Sequence, residues 1–306
     1  MLRHILQRFL QSGFLLVGVT LVTFALLYAL PADPARQIAG RSATAETVQS
    51  IREQLGLDRP FYVQYGKYVL ALAQGDLGRS YTQKTDVGPI IASRLPATLL
   101  LMGAGIACEL ILGIAIGVIA AIKNGTRTDH FLMVLSFIGI STPQFVAGIL
   151  MLYLFSVKLD WFPVGGYGNF KHLVLPAFTL GLLGAGWYAR IMRSTMIEVL
   201  AQDYMRAARA RGTPRWRMVW FHGLRNALLP IIAMVGIDVG IFMSGVVVVE
   251  AVFGWPGIGQ LAWQAVQQID IPIIMGVTLV AAVAIILGNL IADLAATVVD
   301  PRIRIS

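Results

Sequence analysis

Six long apolar runs separated by polar segments dominate the pattern of hydrophobic and polar positions along this chain of 306 residues. A helix rises about 1.5 Å per residue, so about 20 apolar residues cross the roughly 30 Å hydrocarbon core of a membrane. The pattern therefore predicts an all-α membrane protein with six transmembrane helices, near residues 9–30, 97–122, 130–156, 173–191, 227–252 and 273–297. The first run resembles a secretory signal, but its 22 residues exceed a signal core of about 7–15, so we expect an uncleaved helix.

Composition and charge agree with this interpretation and give the helices an orientation. Hydrophobic residues make up 57% of the chain and charged residues 13%, whereas about a quarter of the residues of a soluble domain are charged. Most basic residues lie in four loops, at 1–8, 123–129, 190–225 and 298–306. In the two short outer loops, 157–172 and 253–272, the only basic residues are Lys158 and Lys171. Because cytoplasmic loops are enriched in Lys and Arg, we expect both termini in the cytoplasm, and the net charge of +8 requires no nucleic acid partner.

The chain divides into three predicted parts, which are residues 1–30 with the first helix, 31–96 as a long extracytoplasmic segment, and 97–306 as a five-helix core with a cytoplasmic loop at 192–225. In the outer segment, Thr44 is suited to cap a short helix that Gly56 ends, and Pro60 is suited to open another. Acidic and basic residues nearly balance there, so we expect a small folded element. Two interpretations stay open: it covers the helices on the outside, or it contacts a docking protein or guards the entrance.

Two stretches interrupt the apolar pattern. Residues 253–272 are too short to span; Pro256 and Gly257 force a turn, and Trp255 suits the membrane interface. A partly inserted hairpin and an ordinary surface loop both fit that composition. Within the third run, Ser141-Thr142-Pro143 loosens the helix, because proline removes a backbone donor. Either neighbours pack a simple kink there, or the freed carbonyl and the small hydroxyls shape a translocation route.

Few ionisable groups lie within the predicted spans, at Glu109, Asp238, Glu250 and Asp293. A charge at mid-bilayer costs about 2.5–3.5 kcal/mol on insertion scales, so each is expected to face the helix bundle or water. Glu250 and Asp293 lie near helix ends, where interfacial solvation and a packing hydrogen bond are both possible. Asp238 is deeper, between Gly236 and Gly240, a spacing that lets another backbone approach closely. The fifth helix is therefore the best candidate to line a central interface or pathway.

Catalytic and cofactor chemistry is not indicated by any motif. Gly66-Lys67 lacks the upstream glycine and the following hydroxyl residue of a phosphate-binding loop. The single cysteine, Cys108, excludes an internal disulfide framework, and the four histidines show no metal-ligand spacing. We expect a chain that binds no cofactor or metal and does not itself hydrolyse ATP.

The basic loop contains a short stretch with helical character. Tyr204, Ala207, Ala208 and Arg211 share one face at helical spacing, and Gly212 ends the helix. Two adjacent alanines on that face would let a partner surface come close. From spacing alone, docking to a soluble partner and lying on anionic lipid both remain open.

The same loop resembles that of a known transport family. DYMRAARARG, at 203–212, and HGLRNALLP, at 222–230, resemble the cytoplasmic loop of bacterial ABC-importer permeases of the dipeptide, oligopeptide and nickel group. Arg206 stands where the general motif of such permeases has Glu, as is typical of the peptide branch. Further matches cover the whole chain, namely Leu30-Pro31-x-Asp33-Pro34, Glu53-x-Leu55-Gly56-Leu57-Asp58-x-Pro60, Gly75-Asp76-Leu77-Gly78-x-Ser80, Ser141-x-Pro143-x-Phe145, Glu250-x-x-Phe253-x-Trp255-Pro256-Gly257-x-Gly259, Asp270-x-Pro272 and Asp300-Pro301-Arg302.

The resemblance implies a type I importer permease of the bacterial inner membrane that imports peptides or peptide-like solutes by alternating access. It implies a homologous second permease, two ATPase subunits that bind ATP and magnesium, and an extracytoplasmic substrate-binding protein. The residues that would couple to the ATPase are Asp203, Tyr204, Arg206, Ala207, Ala208, Arg209, Arg211 and Gly212. Candidates for the translocation pathway or its gate are Ser141, Pro143, Asp238, Met243, Ser244, Glu250, Trp255, Pro256 and Gly257. The alternative is a secondary transporter or channel acting alone, which would need ion-coupling residues deep in the spans and an inverted repeat.

Overall fold

The structure, a computed structural model, describes residues 2–29, 33–40 and 43–299, with side chains except at 2–9, 29, 37, 243–245 and 291–299. The matches at Leu30-Pro31 and at 300–302 therefore lie outside the described residues, and so do the side chains of Met243, Ser244 and Asp293.

Helices make up nearly all regular structure of the described residues. In chain order they are α1 (Leu2–Ala29), α2 (Pro34–Ala39), α3 (Ala45–Leu55), α4 (Phe61–Ala73), α5 (Val87–Ile122), α6 (Arg127–Ser141), α7 (Gln144–Met151), α8 (Phe170–Ala201), α9 (Asp203–Ala210), α10 (Arg215–Arg217), α11 (Leu224–Gly245), α12 (Val247–Val252), α13 (Ile258–Gln268) and α14 (Ile271–Val299). Two π-helical segments follow directly on α-helices, Leu152–Lys158 after α7 and Met218–Gly223 after α10.

The six predicted spans are confirmed, one of them in a broken form. Helical stretches long and apolar enough to cross a membrane occur at Leu10–Tyr28, Val87–Ile122, Phe170–Ala201, Arg215–Phe242 and Ile271–Leu290. The sixth corresponds to a bent pair, Arg127–Ser141 and Gln144–Lys158, whose two parts meet at 103°. The interruption is thus sharper than a kink, because α6 ends at Ser141 and Pro143 precedes a new helix. The Thr142 hydroxyl donates to the Ile138 carbonyl (2.7 Å) in the last turn of α6.

The described residues cluster into two compact units. The first contains the chain up to Thr98 together with Met243–Val247 and Pro256–Ile286, and the second contains Leu99–Phe242, Val248–Trp255 and the residues from Leu287 onward. The division at 30/31 and 96/97 drawn from the sequence concerns exposure to the two sides of the membrane and stays a prediction.

In the first unit, the outer segment folds as the capping residues indicate. The Thr44 hydroxyl accepts a bond from the Thr47 amide, and Gly56 ends α3 in the left-handed conformation (φ +67°). The aromatic face of α4 packs on α1, with the Phe24 ring 5.4 Å from that of Phe61 and 5.6 Å from that of Tyr65. Helix α2 was not predicted, although Asp33 followed by proline is a usual helix start and the Asp33 side chain caps it.

Residues 258–268, in the same unit, form the helix α13 rather than a hairpin or a loop. Ile258, Leu261 and Ala265 repeat at helical spacing, and all three are buried. They form one apolar cluster with residues that include Val87 and Ile273. For residues 258–268 the surface-loop interpretation was therefore wrong, because an amphipathic helix begins at Ile258. Partial insertion of the stretch stays a prediction.

In the second unit, α5 and α8 lie close enough for their backbones to touch. A Cβ atom at Gly113 would lie 2.4 Å from the Tyr188 Cβ, and one at Gly117 would lie 2.6 Å from the Ala189 carbonyl oxygen. Further along α8, Met192 and Met196 belong to an apolar cluster with Ile231 of α11. The cluster joins α5, α8 and α11.

Candidate functional site

The basic loop contains a separate short helix, α9, between two spans. Gln202 is extended (φ −65°, ψ 155°) and separates α9 from the end of α8. At the other end, Gly212 adopts a left-handed conformation (φ +80°), which a residue with a side chain rarely takes. The Thr213 amide then donates to the Ala208 carbonyl (3.2 Å), so the helix stops where the sequence predicts.

One face of α9 is packed against the chain's own residues. Met205 and Ala208 are buried, at 1% and 5% exposure, and cluster with Met218 and Leu200. The expectation that both adjacent alanines are exposed to a partner is therefore wrong for Ala208. Its Cβ contributes to the internal contact that fixes α9 to the π-helical segment Met218–Gly223.

The rest of α9 is exposed and carries most of its polar groups. Tyr204 is 44% exposed. The other exposed candidate coupling residues are Asp203, Arg206, Ala207, Arg209, Arg211 and Gly212. Arg206 and Asp203 form an exposed ion pair one turn apart. Ala207 thus lies among charged and aromatic side chains on a surface that the described residues leave uncovered.

Asn226, in the first turn of α11, connects α9 with the next span. Its side-chain amide donates to the Tyr204 hydroxyl (2.9 Å) and to the His222 carbonyl (3.0 Å). The residue belongs to the HGLRNALLP stretch but was not singled out from the sequence. Only the fold reveals its contact with Tyr204, 22 positions away.

Two arginines of the basic region bind within the second unit. Arg193 holds the buried carboxylate of Asp129 with both its Nε (2.6 Å) and an Nη (2.7 Å), a bidentate arrangement between α8 and α6. Arg215 donates to the Ile122 carbonyl at the end of α5 (3.1 Å). Part of the positive charge therefore stabilises helix ends and is not offered to a partner.

The two deepest carboxyl groups meet inside the second unit. The Tyr188 hydroxyl of α8 donates to Asp238 of α11, and Glu109 of α5 lies close to the same carboxyl group. Glu109 is buried, and it is accommodated by Gly184, where a Cβ atom would lie 1.8 Å from its Oε1. Asp238 therefore joins a packed polar network among three spans, which is the bundle-facing environment expected from the sequence. Its role in a pathway stays a prediction.

The remaining pathway candidates are on separate elements. Ser141 and Pro143 are exposed at the break between α6 and α7. Glu250 of α12 is fully buried, so solvation at the interface is excluded and the packing interpretation remains. Trp255 is also buried, with its ring edge-on to that of Tyr167 (4.9 Å between centroids), so it packs inside the chain and its depth in the membrane stays a prediction.

Pro256 is half-buried and Gly257 is buried; both precede α13. The side chains of Met243 and Ser244, the other candidates on the fifth span, are outside the described residues.

Asp270 forms a polar clasp in the first unit. Its buried carboxylate accepts bonds from the hydroxyls of Ser80 (2.5 Å) and Thr82 (2.6 Å), and from the Thr82 (2.9 Å) and Tyr81 (3.3 Å) amides. Burial alone would raise the pKa of Asp270, but these bonds hold it below its ordinary value. The stretches Asp270-x-Pro272 and Gly75–Ser80 were noticed in the sequence, yet nothing there indicated that they meet.

Among the residues that the structure describes, no group of three or more His, Cys, Asp or Glu side chains could hold a metal ion.

Comparison with known proteins reveals family matches over both parts of the chain. Residues 113–305 match the family described as binding-protein-dependent transport system inner membrane component. Residues 1–102 match the N-terminal family of the same membrane components.

Individual relatives align over the full length. The chain is 40% identical to a putative peptide permease protein of Brucella ovis, covering 100% of both chains. It is also 40% identical to the glutathione transport system permease protein GsiC of Salmonella paratyphi A, covering 99% of both. In fold it is similar to the inward-facing MetNI methionine ABC transporter, with a TM-score of 0.58 at 18% identity over 69% of this chain and 96% of that chain.

Proposed function

Because the chain belongs to the family of binding-protein-dependent transport system inner membrane components, we propose that α9 is the helix through which a partner ATPase drives this multi-pass inner-membrane permease. The observation that carries the proposal is the division of α9 into two faces. Met205 and Ala208 hold the helix to its own chain, while Tyr204, Ala207 and Arg211 are exposed. A small side chain among longer ones leaves a shallow notch that suits a close-fitting partner surface.

The contacts of α9 are suited to transmit a displacement. The Tyr204–Asn226 hydrogen bond links α9 to α11, and the cluster of Met205, Ala208 and Met218 links it to the segment leading into that span. A displacement of α9 by a bound ATPase would therefore also move the start of α11. A nucleotide can bias the inward- and outward-facing states only by binding them with different affinity, and a rigid link delivers that bias to the membrane.

The proposed assembly contains a homologous second permease, two ATPase subunits and an extracytoplasmic substrate-binding protein. ATP and magnesium bind to the ATPase subunits, and this chain contributes no nucleotide site. The family description, which names a binding protein, supports the last of these partners. The two-subunit heterodimer and the ATPase stoichiometry rest on the resemblance of DYMRAARARG to the docking loop of such permeases.

We propose peptides or peptide-like solutes as the transported substrates. Full-length relatives named as a putative peptide permease and a glutathione permease support this class. Affinities of the partner binding protein for dipeptides, longer peptides and glutathione, measured by calorimetry, test it. Submicromolar binding of a peptide is expected, and binding of a sugar or a metal ion alone would contradict the substrate class.

Reconstituted uptake tests the need for an ATPase. Proteoliposomes that contain both permeases and the binding protein should accumulate peptide only when the ATPase subunits and ATP are added. Uptake that continues without any ATPase subunit would overturn the proposal in favour of a secondary transporter or channel.

Substitution of Ala207 tests the docking surface. Ala207→Trp should lower ATPase co-purification and uptake about tenfold or more, since a misfit at the centre of an interface costs on the order of 2 kcal/mol. Because Ala207 is exposed, the melting temperature of the permease should not change. Ala73→Trp, also exposed but at the end of α4, is the matched control and should leave ATPase co-purification intact. If the Ala207→Trp permease co-purified with as much ATPase as the wild type does, the result would count against docking through this face.

A further inference from the structure

A cavity of about 470 Å³ lies at the outer end of α1, within the first unit. Its volume falls in the range of about 300–1,000 Å³ typical of ligand sites. Phe24 and Tyr28, from the last two turns of the α1 span, form part of the wall. Ile271, the first residue of the α14 span, forms another part. The cavity therefore lies where two spans leave the hydrocarbon, at the depth of the outer-leaflet headgroups.

The apolar wall continues into a face of α1 that the described residues leave exposed. Only 6% of the α1 window from Leu10 to Tyr28 is buried inside the chain. Leu26 and Tyr28, beside the cavity, are 66% and 52% exposed. An acyl chain can thus lie along α1 while its headgroup enters the cavity.

Two oppositely charged residues, Asp33 and Arg52, line the cavity. The Asp33 carboxylate accepts bonds from the Ala35 amide (3.1 Å) and from an Arg52 Nη (2.5 Å). The other Arg52 Nη donates to the Gln49 side chain (3.2 Å). About a third of each charged side chain is exposed, so solvent or a ligand reaches both. A guanidinium has five N–H donors, and the bonds seen among the described residues leave some for a phosphate.

Another part of the cavity wall is tied to the Asp270 carboxylate. Tyr81 lines the cavity, and its amide donates to the buried carboxylate of Asp270 (3.3 Å). Burial and the neighbouring Asp270 raise the pKa of Tyr81 to about 12, so a ligand meets a neutral phenol that can donate a hydrogen bond. The bond to Asp270 thus positions Tyr81 at the cavity wall.

We propose that this cavity binds the headgroup of a zwitterionic phospholipid of the outer leaflet, with its phosphate on Arg52 and its ammonium beside Asp33. The adjacent charges match the adjacent opposite charges of such a headgroup, and the apolar wall along α1 takes the start of an acyl chain. A zwitterionic peptide shares the two charges but has no need of the lipid-facing wall. The inference does not depend on the function proposed for α9.

Native mass spectrometry of the assembled, detergent-solubilised transporter tests the site. After delipidation, phosphatidylethanolamine and anionic phosphatidylglycerol are titrated separately. Phosphatidylethanolamine should bind more tightly, and Arg52→Gln should weaken its binding about tenfold, as expected for the loss of one charge-assisted hydrogen bond. Arg59→Gln, an exposed arginine that does not line the cavity, is the matched control and should bind like the wild type.

A second variant covers the case in which Arg52→Gln loosens the contact with Asp33. Ile271→Trp fills the cavity and leaves the charge pair intact, and it should also abolish tight phosphatidylethanolamine binding. Unchanged binding in Ile271→Trp, or equal affinity for phosphatidylglycerol, would overturn the proposal. Displacement of the lipid by a millimolar dipeptide would also overturn it and would assign the cavity to peptide.

Discussion

Two short helices between membrane spans, α9 and α13, relate to their surroundings in opposite ways. Helix α13 has no charged residue, and its apolar face is buried in a cluster of the first unit. Helix α9 has three charged residues in eight and buries only Met205 and Ala208. Apolar burial is worth about 25 cal/mol per Å², so α13 is held largely by its own chain. The weakly packed, charged α9 is the helix that we propose binds a partner.

The largest expected effect comes from removing the packing of α13. Leu261 is 1% exposed, so Leu261→Ala should lower the free energy of unfolding by about 2–5 kcal/mol through lost burial and a residual cavity. Thermal unfolding of the purified permease checks this, with exposed Gln264→Ala on the same helix as the control. A Leu261→Ala variant as stable as Gln264→Ala would show that α13 is not a packing element.

An intermediate effect is expected where α9 does pack. Ala208→Leu must fit three extra carbon atoms beside Met205 and Met218, and overpacking of this kind costs about 1–3 kcal/mol. We expect both a lower melting temperature and weaker ATPase co-purification, whereas Ala207→Leu should leave the melting temperature unchanged. Equal melting temperatures for the two variants would contradict the two-faced description of α9.

Acid should weaken the clasp beside α13. The folded-state pKa of Asp270 is depressed, so its contribution to stability is fully present above the unfolded value of about 3.9 and is lost as pH falls through the folded value. Asp270→Asn should cost about 1–2 kcal/mol at neutral pH, because an amide cannot accept all four bonds. Below about pH 4 the difference in free energy of unfolding between the wild type and Asp270→Asn should shrink. A gap that is constant with pH would argue against an ionised Asp270.

The smallest effect concerns the link from α9 to α11. Tyr204→Phe removes the hydroxyl that accepts the Asn226 bond, which is worth about 0.5–1.5 kcal/mol. Uptake per ATP hydrolysed should fall while ATPase co-purification persists. A double-mutant cycle with Asn226→Ala isolates the pair, and full additivity would mean that the bond transmits nothing.

Local signals in the sequence predicted much of the fold. The long apolar runs indicated six spans, and Thr44, Gly56 and Gly212 marked helix ends that the structure confirms. These features depend on hydropathy and on backbone preferences of single residues, which can be read from a few neighbours. Helix α13 was missed because Pro256 and the glycines drew attention away from an apolar repeat at 258, 261 and 265.

Contacts between distant residues could not be predicted from one sequence. The carboxylate of Asp129 meets Arg193, 64 positions later, and Asp270 meets Ser80, 190 positions earlier. The same limit explains the misplacement of Ala208, because helical spacing shows which residues share a face but not which face is covered. The proposed docking role of α9 had a local signal, whereas its division into a packed face and an exposed face did not.

Cysteine cross-linking tests the docking role of α9 most directly. The chain has a single cysteine, Cys108, so a Cys108→Ser background allows one probe at Ala207 on α9 and another at Gln264, exposed on α13. In the assembled transporter, a short thiol-to-amine cross-linker should join Ala207→Cys to the ATPase subunit, and Gln264→Cys should give no such product. Failure of Ala207→Cys to cross-link in an ATP-hydrolysing complex, or equal cross-linking from Gln264→Cys, would contradict the account.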